Sequence, residues 1–423
     1  MIFDKPRRLA KRKLNDKRGI RLFFFVNWFS CLSIYFGRYN LSACVNDMSL
    51  NHGFGKPELG GVVASFYLAY GAGQLLSGLL GDKIPAKWLV FAGLASSAAV
   101  NLAFALQNAV WPMSLLWLAN GFAQALVWVP MVRLCSDRLT MAQCRKTCVD
   151  LYTTGPLGML ATYLLCAFLL HFFSWRACFF AGFLATAAGA CLWLAGITGI
   201  ERHADKNGVV EAPAPGLPAS EGPGKPLPAV LASGLLLAAA AAALNGMLKD
   251  GMTTWAPTFL SEKFSLDASV STGLATLLPI VNLAGVYLAK YCNERVFANE
   301  LKTSAAFYGV TLVAVLGIVW AGGRNVLLLL GLLAASTSAM VGVNTLLVGL
   351  LPLHFYRSNR VSAATGLLNS ATYVGGAIAS YLFAFTAERF GWSVNYAVWL
   401  ALAAAGGMLC AQGARQWGRF AHG

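Results

Sequence analysis

The chain has 423 residues, of which 57% are hydrophobic and only 12% charged, with a formal net charge of +15. Soluble domains carry roughly 25% charged residues, so a soluble globular protein is excluded, and so is a charged disordered chain. The excess of Lys and Arg is a matter of topology rather than of nucleic-acid binding.

In chain order, the first 21 residues hold nine Lys or Arg. They lack the apolar core and cleavage site of a signal peptide, so a basic cytoplasmic segment is expected. Apolar runs able to cross a hydrocarbon core of ~30 Å then recur. They predict twelve transmembrane helices, at 20–46, 58–81, 88–108, 111–134, 147–171, 174–199, 227–260, 267–291, 303–321, 325–351, 362–387 and 391–412. Between the sixth and seventh, residues 208–228 carry six prolines and five Gly or Ser, the composition of a flexible linker. The predicted organisation is a basic segment 1–21, a six-helix bundle 22–199, a cytoplasmic linker 200–226, a second six-helix bundle 227–412 and a tail 413–423. With the amino terminus inside, cytoplasmic segments hold 25 Lys or Arg and the opposite loops 5. This places both termini of a multi-pass protein in the cytoplasm, and a bacterial cell membrane is the expected location.

The two halves repeat. Phe173-Ser174-Trp175 precedes the sixth span and Phe390-Gly391-Trp392 the twelfth, an offset of 217. Arg38 and Lys249, lone cations inside apolar stretches, are offset by 211. A charge near the bilayer centre costs at least ~2.5–3.5 kcal/mol, and nearby acids are too few to neutralise both. An anionic substrate between the repeats is the natural counter-charge.

After the second span, Gly78-Leu79-Leu80-Gly81-Asp82-Lys83 and the run to Lys87 resemble the loop motif of the major facilitator superfamily. Further pieces are Arg38-Tyr39-Asn40, then Lys249-Asp250 followed by Trp255-Ala256-Pro257-Thr258-Phe259-Leu260, and Asn369 with Tyr373-Val374-Gly375-Gly376. Together they are similar to the organophosphate:phosphate antiporters, which carry glycerol phosphate or hexose phosphates in exchange for phosphate. The resemblance implies a major facilitator fold of two pseudo-symmetric six-helix bundles. It also implies a phosphoryl clamp made by one cation in each half. Arg38 matches the first position; Lys249 stands at the second, where the family has arginine, and gives a point charge instead of a planar fork. Tyr39 and Gln74 stand where lysines are common, and Thr154 or Pro156 near a histidine position. The pocket is thus less positive than a typical sugar-phosphate site.

Helical spacing groups Asn27, Cys31, Tyr35, Arg38 and Ser42 in one stripe, and Asn245, Lys249 and Thr253 in another. Tyr67, Tyr70 and Gln74 line the second span; Thr365, Asn369, Thr372 and Gly376 line the eleventh. The expected substrate residues are Arg38, Lys249, Tyr35, Tyr67, Tyr70, Gln74, Asn245, Asn369 and Tyr373. Neutral stripes serve equally well for interhelical hydrogen bonds. Asp82, with Arg133 and Arg138, is expected to latch the cytoplasmic side. Neighbours on a helix point ~100° apart, so Asp250 need not neutralise Lys249 on the pocket face. Gly155-Pro156 reads either as an antiporter bend or as a simple kink.

No buried histidine offers a proton switch, and no catalytic or zinc constellation is present, so neither enzyme chemistry nor a cofactor is expected. The ten cysteines fall in spans or on the cytoplasmic side, Cys44 near the outer end of the first span, and predict no extracellular disulfide. Cys135, Cys144 and Cys148 read as ordinary thiols rather than a metal site. The sequence thus points to a monomeric secondary transporter working by alternating access. It would exchange a small organic anion for phosphate across the lipid bilayer, with no nucleic-acid partner. A proton- or sodium-coupled carboxylate symporter and a sugar-phosphate sensor remain open beside it.

Overall fold

The computed structural model describes residues 13–80, 84–151, 153–208, 234–321, 325–358 and 361–421. The helices are α1 (Lys17–Phe36), α2 (Tyr39–His52), α3 (Lys56–Leu80), α4 (Ala86–Ala105), α5 (Val110–Arg138), α6 (Met141–Leu151), α7 (Thr154–Phe172) and α8 (Trp175–Asn207). The second half has α9 (Leu236–Phe264), α10 (Ala268–Ala275), α11 (Leu277–Cys292), α12 (Glu300–Ala321), α13 (Val326–Asn344), α14 (Val361–Phe390) and α15 (Trp392–Ala421), with short π and 3₁₀ turns after α11 and α13. No strand occurs among the described residues. Among the described residues, pairing α1 with α2, α6 with α7, and α10 with α11 leaves twelve long helical units, consistent with the twelve predicted spans. The last runs on to Ala421, past its predicted end, and most of the linker lies outside the described residues.

Among the described residues, nine helical segments are long and apolar enough to cross a membrane. α3, α9 and α14 are longer than most at 25, 29 and 30 residues, but polar and small residues dilute them. These three carry Gln74, Lys249-Asp250 and Asn369. They pack on one another: α14 lies against both α3 and α9. The helices that carry these polar residues therefore sit where one half meets the other.

The internal repeat is visible in the packing. α4 lies on α5 and α8, as α12 lies on α13 and α15. α1 contacts α7 and α8, as α9 contacts α14 and α15. Across the halves, α3 meets α14 while α7 meets α10 and α11. Glycines allow the closest approaches. A Cβ on Gly246 would run into the backbone carbonyl of Thr372, and one on Gly375 into that of Ala243, so each glycine admits the other's helix.

Among the described residues, polar contacts join the halves at the end away from the termini. Lys56 Nζ is 2.6 Å from Glu262 Oε1, and the Lys56 amide donates to Glu388 Oε2 at 2.8 Å. Trp392 Nε1 donates to the other Glu262 oxygen at 2.8 Å. Thr272 Oγ1 donates to the Ala43 carbonyl at 3.0 Å, and Asn46 reaches Ser271 Oγ at 3.4 Å.

Candidate functional site

The first span is not one continuous helix. α1 stops at Phe36, Gly37 caps it, and Arg38 opens α2 with φ −120° and ψ −52°. The predicted stripe from Asn27 to Ser42 is therefore cut at Arg38, a correction to the unbroken-helix reading. A break strands backbone carbonyls in a region without water. Here three amides take them up. Asn120 Nδ2 donates to the Gly37 carbonyl at 2.7 Å, joined by Asn101 at 3.3 Å. Gln124 Nε2 donates to the carbonyls of Ile34 and Gly37 at 3.2 and 3.1 Å, and Asn40 ties into Asn101 at 2.8 Å. Arg38 Nε then donates to Gln124 Oε1 at 3.0 Å. The same glutamine that closes the helix break thus aims the guanidinium.

Aromatic rings enclose that guanidinium. Its central carbon lies 4.2 Å from the Tyr70 ring centroid, 4.9 Å from Phe66 and 5.7 Å from Tyr35, within cation–π range. Tyr70 packs edge-on against Tyr373 of α14 at 4.8 Å, and Tyr67 lies 6.3 Å from the same ring. Tyr35 stacks on Tyr39 at 5.8 Å, and Tyr39 meets Tyr163 edge-on at 6.5 Å. The Tyr163 hydroxyl donates to the Thr253 carbonyl of α9 at 3.4 Å. Gly155 and Gly158 give Tyr35 its room: a Cβ on Gly158 would strike the ring. One outward N–H group of Arg38, on Nη2, is buried with no hydrogen-bond partner.

Lys249 is held differently. It stands in the unbroken α9, and its Nζ lies 2.7 Å from Asp250 Oδ1. Helical divergence alone does not require this pairing; the long lysine stem bends back to its neighbour. The second oxygen of Asp250 is buried and unpartnered. A Cβ on Gly376 would lie 3.3 Å from the Asp250 Cβ, which puts this pair one turn along α14 from Tyr373. Tyr373 is within electrostatic reach of both Arg38 and Asp250.

The structure brings together Arg38, Tyr35, Tyr67, Tyr70 and Tyr373 as one cage, with Lys249 against its C-terminal wall. Gln74 and Asn369 hydrogen-bond to each other across the halves. Asn245, one turn from Lys249 on α9, reaches Asn344 Oδ1 at 3.4 Å. Asp82 lies outside the described residues. Arg133 stands on α5 in the described region. Arg138 Nη2 lies 3.8 Å from Glu201, which also faces Lys87 at 3.7 Å. Glu300, His354 and Trp417 make the counterpart at the same end of the other bundle, at 3.0 and 2.8 Å. Asn101, Asn120, Gln124 and Tyr163 stand outside the motifs and stripes that mark site residues in the sequence. The amides among them had one signal, polar side chains in otherwise apolar spans.

With that geometry in place, the likenesses to known proteins are specific. The chain is 22% identical over 393 residues to "Membrane sensor protein UhpC" of Escherichia coli (strain K12), covering 88% of this chain and 87% of the relative. It is 24% identical to "Glycerol-3-phosphate transporter" of Bacillus subtilis (strain 168), covering 81% of each. The fold matches the crystal structure of a D-xylose-proton symporter with a TM-score of 0.71 at 11% identity, over 92% of this chain and 96% of that one. The family description "Major Facilitator Superfamily" matches residues 28–380, and the chain belongs to that superfamily, with its resemblance within it to the organophosphate transporters.

Proposed function

We propose that the protein is a secondary transporter that moves a small organic anion, an organophosphate, in exchange for phosphate by alternating access. The observation that carries this reading is the buried, unpartnered N–H of Arg38, aimed within a cage that both halves build. An unsatisfied donor on a buried cation is costly, and an anion's oxygen is the group that would satisfy it. A relative is named a glycerol-3-phosphate transporter. Binding would draw Lys249 off Asp250 and onto the same anion, pulling α9 toward α3. Lys56, with Glu262 and Glu388, joins the two halves at the outer end, as alternating access needs on the closed side.

The Lys249–Asp250 pair favours one second reading. It leaves the site a net charge of +1, counting Arg38, Lys249 and Asp250, which suits a monoanion such as a carboxylate moved with a proton. The likeness to a protein named as a membrane sensor supports a third, binding without transport. Proteoliposomes loaded with phosphate, or left empty, distinguish them. Labelled-phosphate uptake that needs internal phosphate and disappears in Arg38→Ala supports exchange. Uptake driven by a pH gradient alone supports the symporter, and tight binding with no flux supports the sensor.

A further inference from the structure

Three thiols meet away from the cage, in the corner of the first bundle nearest the Phe173-Ser174 turn. Cys44 of α2, Cys166 of α7 and Cys178 of α8 are all buried, and their Sγ atoms all lie within 4.8 Å of one another. Their sequence positions gave no hint of this. The hydrogen bonds that hold them are weak: Cys44 Sγ is 4.0 Å from the Trp175 carbonyl, and Cys178 Sγ is 3.9 Å from that of Cys166. Phe104 and Trp175 pack against Phe179, next to Cys178, at 4.3 and 5.7 Å.

The spacing fits a three-coordinate centre. A thiolate–metal bond of about 2.3 Å sets the sulfurs of a trigonal site about 4 Å apart, so small side-chain rotations close it. Charge decides what it takes. Asp47, the nearest acid, is occupied by Asn51 at 2.7 Å, the Trp175 amide at 3.3 Å and His52 at 3.6 Å. Three thiolates around copper(I) or zinc(II) would leave net negative charge in an apolar corner, which is expensive. A trivalent element leaves none.

We propose that Cys44, Cys166 and Cys178 form a trithiol site for the neutral trihydroxides of trivalent arsenic and antimony. Three As–O bonds are replaced by three As–S bonds, and each thiol proton leaves with a departing hydroxide as water. The oxidation state of arsenic does not change, and the product is uncharged. The bound atom would tie α2 to α7 and α8. Because α2 also carries Ala43 and Asn46, which contact α10 of the other half, occupancy would stiffen the outer closure.

The test uses the purified full chain in detergent, incubated with arsenite, desalted, and measured for retained arsenic and free thiols. About one arsenic per chain and the loss of three titratable thiols are expected, with antimonite doing the same. Cys44→Ser, Cys166→Ser and Cys178→Ser should each cut retention by more than the ~10–100-fold typical of a lost supporting hydrogen bond; Cys144→Ser should not. X-ray absorption on the unmodified protein needs no variant to fold and should show three sulfur neighbours. No retention, retention unchanged by the three substitutions, fewer than three sulfurs, or displacement of arsenic by zinc(II) or copper(I) would overturn the proposal.

Discussion

The two cations that mark the two halves are built in opposite ways. Arg38 stands in a broken helix, fixed by Gln124 and walled by tyrosines, with no acid bonded to it and one buried donor free. Lys249 stands in a continuous helix and is paired to the residue after it. A pseudo-symmetric pair has thus divided its labour. One cation is held by an amide with a buried donor unpartnered, and the other is paired to its neighbour. Under the proposed function the first would await an anion and the second would be drawn away by it. Preorganisation lowers the ordering cost of binding, and a displaceable partner makes binding sense the occupant.

Substitution at the first cation should have the largest effect. Arg38→Lys keeps the charge but loses the fork and the bond to Gln124, so exchange or binding should fall by on the order of 100-fold. Lys249→Arg should be tolerated far better. Equal loss in both, measured as phosphate uptake in proteoliposomes, would break the contrast. Next is Gln124→Leu, which removes one donor each from the Ile34 and Gly37 carbonyls and takes away the partner of Arg38 Nε. A loss of about 1–3 kcal/mol of stability is expected, read as a lower thermal midpoint in detergent, together with weaker anion binding. Asp250→Asn frees Lys249 and should raise affinity for doubly charged phosphate severalfold while weakening selection against it, as measured by isothermal titration. Unchanged affinity would mean that the pair never opens.

Smaller effects belong to the two ends. Glu262→Gln loosens a partly exposed pair worth about 0.5–1 kcal/mol. It should raise thiol labelling of a cysteine introduced at Ser271 only a few-fold. His354 is raised above its usual 6.5 by its hydrogen bond to Glu300. A raised histidine contributes stability that is fully present below about pH 6.5 and is lost as pH climbs through the shifted value. The thermal midpoint should therefore decline from pH 6 to 8, and His354→Gln should flatten that slope.

Much of this architecture was legible in the residues. Membrane spans follow from length and hydropathy because an isolated backbone in lipid must satisfy itself as helix. Arg38 and Lys249 stood out because charge in an apolar run is costly wherever it lies. Tyr67 and Tyr70 share a face of the second span by spacing, and their rings lie against Tyr373 of α14. The break at Gly37-Arg38 could not be read, since its stability depends on Asn101, Asn120 and Gln124 arriving from two other spans. Nor could the bending of Lys249 onto Asp250 be read, because helical geometry sets Cβ directions but not where a flexible stem ends.

By itself, then, the amino-acid sequence determined that this is an all-helical membrane protein in two repeated halves with one cation in each. Those are properties of local composition, periodicity and order along the chain. Tertiary structure alone decided which cation an amide holds and which an acid pairs, which contacts join the halves at the outer end, and that three distant thiols share one corner. Each of these depends on distances between segments remote in sequence, and only the packing of one helix against another sets them.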